Sequence, residues 1–220
     1  MVSVAIDGPA GAGKSTIAKR VSAELGFIYV DTGAMYRAVG AACLEKGVDI
    51  HDKEAVIALL PDISIDIVFR DGEQRVILNG RDVSEEIRME KVSMTASVVS
   101  AIPQVRAFLL ELQRNFARNY NVIMDGRDIG TVVLPNAEVK IFLTASAESR
   151  AERRTRQLEE KGVHADYDTV LRDIIERDHQ DMNRETAPLK AADDACIIDT
   201  TELNLEQSVQ KIIDTIKEKL

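Results

Sequence analysis

The chain has 220 residues, 45% hydrophobic and 30% charged, with a net charge of -9 at neutral pH. That length supports one sizeable α/β domain with an insertion, or two small domains. The acidic balance argues against broad binding along a nucleic-acid backbone, and no apolar run reaches the roughly 18 residues that a membrane-spanning helix needs.

In chain order, the first element is an apolar strand over 2–6, followed by "DGPAGAGKST". Gly8, Gly13, Lys14 and Ser15 fit G-x-x-x-x-G-K-[ST], the phosphate loop. Its glycines allow φ > 0, so the backbone can curl with several N–H groups pointing inward. A helix over 14–25, apolar at Ile17, Val21 and Leu25, aims its positive end at the same point. In this motif Lys14 reaches the β- and γ-phosphates and the Ser15 hydroxyl helps to hold Mg2+.

Further apolar strands are predicted at 27–30, 121–124, 138–143 and 195–199. Helical patterns fall between them, over 33–46, 88–100, 103–119, 146–160, 166–184 and 204–219. Apolar strands alternating with helices predict a parallel sheet covered on both faces. The segment 63–83 breaks the pattern: apolar and polar residues alternate around Asp71-Gly72, and Asn79-Gly80 marks a second turn. That is an antiparallel hairpin signature, preceded by a short helix at about 52–60. The hairpin is expected in a small α+β insertion over 38–95; the alternative is that it extends the central sheet.

Three features outside the loop bear on function. "VDTGAMYR", 30–37, opens a helix where Asp31 or Thr32 can cap, and Arg37 lies a turn further on. Hydroxyl, helix N-terminus and arginine together suit a second phosphate; an ordinary capped helix with a solvated arginine also fits. "NVIMDGRDIGT", 121–131, ends a strand at Asp125, a usual place for a Mg2+-linked acid, and then sets Arg127 beside Asp128. Arg150, Arg153, Arg154 and Arg156 crowd one helix, and Arg177, Asp181 and Arg184 recur along one face of the next. Arginines stabilise a migrating phosphoryl group; ion pairs with Glu152, Glu159 and Glu160 account for some of them equally well.

A triphosphate site and a phosphorylated acceptor together describe a small kinase. An acceptor phosphate is already an oxyanion near neutral pH, so no general base is needed. His51, His164 and His179 accordingly read as surface residues, and Cys43 and Cys196 as reduced thiols of a cytoplasmic protein. A guanine-reading N-K-x-D, expected of a GTPase switch, does not occur in the sequence.

With "DTGAMYR", "MDGRDIGT" and "RDHQDMNRETAPL" beside the loop, the chain resembles the bacterial cytidylate (CMP) kinases nearly end to end. The resemblance implies transfer of the ATP γ-phosphoryl group to CMP or dCMP with Mg2+. It implies a core at 1–37 and 96–220, an acceptor-binding insertion at 38–95, and a lid at about 148–172. Gly8, Pro9, Ala10, Gly11, Ala12, Gly13, Lys14, Ser15 and Thr16 would hold ATP, with Asp125 a further metal candidate beside Ser15. Thr32, Arg37 and Arg127 would hold the CMP phosphate, and Ser97, Arg106 and Asp128 would read cytosine. Arg177, Asp181 and Arg184 would lie along the sugar and phosphates, and Lys14, Arg127, Arg177 and Arg184 would be catalytic. The expected partners are ATP and CMP or dCMP, without nucleic acid or membrane, and the expected state is a monomer.

Overall fold

A computed structural model describes residues 1–70, 73–160 and 162–220; the expected Asp71-Gly72 turn lies outside the described residues. The elements run β1 (Ser3–Asp7), α1 (Lys14–Leu25), β2 (Ile28–Asp31), α2 (Thr32–Glu45), α3 (Lys53–Leu59), β3 (Ile65–Arg70), β4 (Glu73–Leu78) and β5 (Arg81–Asp82). They continue with α4 (Glu90–Val99), α5 (Pro103–Asn119), β6 (Val122–Gly126), β7 (Val139–Thr144), α6 (Ala147–Glu160), α7 (Tyr167–Asn183), β8 (Cys196–Asp199) and α8 (Leu205–Lys219). The chain separates into two compact units, Met1–Tyr29 with Tyr120–Leu220, and Val30–Asn119.

The first unit is built on a parallel sheet of order β2-β6-β1-β7-β8. β1 is central: Ile6 lies level with Asp125 of β6 on one side and Ile141 of β7 on the other. Val4, Ala5 and Ile6 are fully buried, as a strand covered on both faces requires. Ile17 and Val21 of α1 and Ile212, Ile213 and Ile216 of α8 complete that core. Sequence punctuation sets the helix ends: Gly26 closes α1 in the left-handed region (φ 69°), and Asn204 with Gln207 forms a capping box that starts α8. Ligands of such sheets bind beyond the carboxyl ends of the strands, where Asp7 and Gly126 end β1 and β6.

In the second unit β3, β4 and β5 form their own antiparallel sheet, pairing Ile67 with Val76 and Leu78 with Arg81. The hairpin therefore stands apart from the central sheet. Its alternation explains this: Val76 and Leu78 are buried while Asp66, Arg70 and Glu73 on the opposite face are exposed, so the buried apolar residues lie on one face. Asn79 and Gly80, both at positive φ, make its second turn. Within this unit α2 packs closely on α4. A Cβ at Gly40 would lie 3.2 Å from the Ala96 nitrogen. Among the described residues no single helix is long and apolar enough to cross a membrane.

Candidate functional site: a phosphate loop and two arginine-bearing turns

The loop after β1 is shaped by close approach and by left-handed backbone. A Cβ on Gly8 would fall 1.9 Å from the Leu143 carbonyl oxygen of β7, so only glycine fits there. Gly11 and Gly13 take φ of 76° and 87°. Gly13 begins α1 without a side-chain cap, leaving the N–H groups of the first turn and the positive helix end to a ligand anion. Lys14 is buried, and its Nζ donates to the Pro9 carbonyl at 2.7 Å. Burial, with the charge of Arg127 added, pushes its ammonium well down, against the pull of Asp125, Asp7 and Asp181. A polyanion at the loop would restore the charged form.

Ser15, one residue on, donates to Asp125 at 2.8 Å. Asp125 is buried near the end of β6, and its other carboxylate oxygen accepts from the Tyr29 hydroxyl at 2.9 Å. A hydroxyl and a carboxylate are hard oxygen donors, the kind Mg2+ takes. Tyr29 reads in sequence only as a strand residue; its partner lies 96 positions away.

Past β6 the chain turns through Arg127 and Asp128 into a π-type turn, Ile129–Val133. Asp7 holds that turn: its two oxygens accept from Ile129 N at 2.8 Å and Gly130 N at 2.7 Å. Burial raises the Asp7 carboxyl to about 6, opposed by those two N–H groups, helped by Asp128 and opposed by Lys14. Arg127 Nε donates to Asp181 of α7 at 2.8 Å. α7 ends at Asn183, so Arg184 sits just past the helix in an extended conformation instead of on its face. It still comes within 3.7 Å of Asp181 and of the buried Asp128, and donates from Nε to the Ala187 carbonyl at 2.6 Å. Burial pushes Asp181 up, but the charge and hydrogen bond of Arg127 and the charges of Arg177 and Arg184 together hold the carboxyl below its usual value. Lys14, Arg127, Asp128, Asp181 and Arg184 thus belong to one charged network around the loop.

In the second unit Asp31, not Thr32, caps α2, accepting from Ala34 N at 2.9 Å. The same carboxylate accepts from Arg37 Nη2 at 2.8 Å. Arg37 is therefore not the solvated arginine of the alternative: it is paired with Asp31, and its Nε is buried with no hydrogen-bond partner among the described residues. Thr32 is buried in the first turn of α2. Ser97 lies half-buried on α4, and Arg106 of α5 is buried with its guanidinium 5.3 Å from the Tyr36 ring centre and Nη1 on the Ser100 carbonyl at 3.0 Å.

Of the α6 arginines, Arg150 and Arg153 serve the fold. Arg153 donates to the Thr200 carbonyl at 2.5 Å, and Arg150 pairs with Asp178. Arg154 bonds Gln157 at 2.9 Å. His51, His164 and His179 are exposed; Cys43 is buried, its thiol pushed up by burial.

Residues 4–218 match the family model described as cytidylate kinase. The chain belongs to the cytidylate kinase family. It is 52% identical over 213 residues to the cytidylate kinase of Caldicellulosiruptor bescii, covering 97% of this chain and 94% of that one. It is 50% identical over 219 residues to the cytidylate kinase of Lactobacillus johnsonii, covering 100% and 95%. The cytidylate kinase of Carboxydothermus hydrogenoformans is 50% identical over 216 residues, covering 98% and 97%. Among solved structures, an uncharacterized protein of Eubacterium ventriosum superposes with a TM-score of 0.55 at 12% identity over 99% of both chains. A gluconokinase of Sinorhizobium meliloti superposes with a TM-score of 0.50 at 12% identity over 99% of this chain and 92% of that one. These structural likenesses concern the fold alone. Family membership extends over both units, so it takes in the phosphate loop, the β6 exit and the start of α2 alike.

Proposed function

We propose that the chain transfers the γ-phosphoryl group of Mg·ATP to CMP or dCMP, giving ADP and CDP or dCDP. The observation that carries this is the match of 4–218 to the cytidylate kinase family; the glycine-shaped loop that opens α1 supports it. Gly8 to Thr16 hold the triphosphate, and Lys14 meets its β- and γ-phosphates. Ser15 and Asp125, paired at 2.8 Å, suit Mg2+ as oxygen donors; when bound, the ion neutralises charge on the phosphate oxygens.

On the acceptor side, Thr32, Arg37 and Arg127 hold the monophosphate. The buried Nε of Arg37, without an acceptor among the described residues, supports that role. An oxygen of this phosphate attacks the γ-phosphorus, the bond to the β–γ bridging oxygen breaks, and ADP leaves. Nothing needs deprotonating, consistent with three histidines that are all exposed. Lys14, Arg127, Arg177 and Arg184 offset the charge that spreads over the transferring group. Ser97, Arg106 and Asp128 read cytosine: the carboxylate accepts from the N4 amino group, and the arginine donates to the ring acceptors. Uracil presents a carbonyl where cytosine has that amine, and a buried carboxylate repels it. Asp181 and Arg184 lie along the sugar. Segment 38–95 forms the acceptor-binding insertion and 148–172 the lid.

Lys14→Ala tests the assignment of the loop. Turnover is expected to fall by about 100- to 1,000-fold, while calorimetric titration with CMP still shows binding. Loss of CMP binding in a folded variant would mean that the two sites are wrongly divided.

A further inference from the structure

The arginine-rich α6 predicts residues that meet phosphate, yet its most buried arginine bonds the protein's own carbonyls and a carboxylate. Arg150 is 4% exposed. Its Nε donates to the Ala145 carbonyl at 2.9 Å. Nη1 donates to the Ala10 carbonyl at 2.9 Å and to Asp178 Oδ1 at 3.0 Å, and Nη2 donates to Asp178 Oδ2 at 2.5 Å. The loop also rests on its stem, since a Cβ at Gly11 would lie 3.5 Å from the Arg150 Cβ.

Ala10 and Gly11 share one peptide plane. In a trans peptide the C=O and the following N–H point in opposite directions. Holding the Ala10 oxygen on Arg150 therefore turns the Gly11 N–H away from α6. Gly11, at φ 76°, is a glycine whose backbone has other conformations open to it. Asp178, the other end of the guanidinium, belongs to α7, which also carries Arg177 and Asp181.

We propose that Arg150 and Asp178 form a positioning clamp that fixes the Ala10–Gly11 peptide for the ATP phosphates and ties it to α7. Arg150 itself does not touch the nucleotide. This rests on the phosphate loop being the ATP site. Lysine cannot replace it, because one ammonium cannot grip a carboxylate with two parallel bonds and a carbonyl besides.

The test reads nucleotide affinity separately from stability. In Arg150→Lys, the Kd for ATP by calorimetry and the KM for ATP are expected to rise about tenfold or more, with the KM for CMP within about twofold of wild type. Breaking one side of a buried pair can unfold a protein, so Arg150→Met/Asp178→Leu, which fills the same space with apolar groups, is measured beside it. That double variant is expected to keep a near-wild-type Tm and still bind ATP weakly. Wild-type ATP affinity in either folded variant overturns the proposal. So does an equal loss of ATP and CMP affinity in step with Tm, which marks a structural pair only. Lys14→Ala is the control: if it leaves ATP affinity and turnover intact, the loop assignment has failed. If it abolishes turnover while the clamp variants bind ATP normally, only the clamp has failed.

Discussion

Asp7 gives the sharpest thermodynamic expectation. It is 4% exposed, and burial lifts its carboxyl from 3.8 to about 6. Between those values the folded chain keeps a proton that the unfolded chain has released. Stability therefore falls as pH rises through this window, and the loss is complete above about 6. A rise of about two pH units corresponds to about 3 kcal/mol. Asp7→Asn removes the titration while retaining one acceptor oxygen, at the cost of facing its amide group toward one of the Ile129 and Gly130 N–H groups. That cost is about 1–3 kcal/mol and does not vary with pH. The assay is urea unfolding of both proteins between pH 4 and 7. Taking the difference cancels the titration of groups remote from Asp7 and leaves that of Asp7 with its coupling to Lys14. The wild type is expected to lose about 3 kcal/mol relative to the variant over that range. A flat difference would mean that Asp7 is not desolvated as described, and the physical account of the β6 turn would fall with it.

Two further substitutions probe the loop and the base reader. Gly8→Ala must accommodate a Cβ 1.9 Å from the Leu143 carbonyl at a φ of 151°; a loss of about 3 kcal/mol or more is expected in urea unfolding. An unchanged midpoint would contradict the described approach of the loop to β7. Asp128→Asn is expected to lower the ratio of kcat/KM for CMP over UMP about tenfold, since the amide can donate to the uracil carbonyl. If the ratio holds, another residue reads the base.

Much of this architecture is visible in the sequence because its signals are local. The strands of the parallel sheet are buried on both faces, so they appear as short apolar runs, and all of 2–6, 27–30, 121–124, 138–143 and 195–199 contain or overlap an observed strand. The phosphate loop is a single contiguous stretch, and the hairpin carries its own period. What escaped depends on contacts between distant residues. Tyr29 is recognisable as a partner of Asp125 only once β2 is known to lie beside β6. Asp7 reads as the end of a strand, and its grip on Ile129 and Gly130 crosses more than 120 positions. Arg150 looks like its neighbours Arg154 and Arg156 in sequence; only its burial against Ala10 and Asp178 separates it from them. The π-type turn at Ile129–Val133 has no composition signal, because Asp7, from another strand, holds it.

The most direct measurement is ADP release from Mg·ATP in a coupled assay, with CMP, dCMP, UMP, AMP, GMP and shikimate offered in turn. CMP and dCMP are expected to give the highest kcat/KM, with UMP at least about tenfold behind. A different preferred acceptor, or no acceleration by any of them over basal hydrolysis, would contradict the assignment of Ser97, Arg106 and Asp128 as the residues that read cytosine.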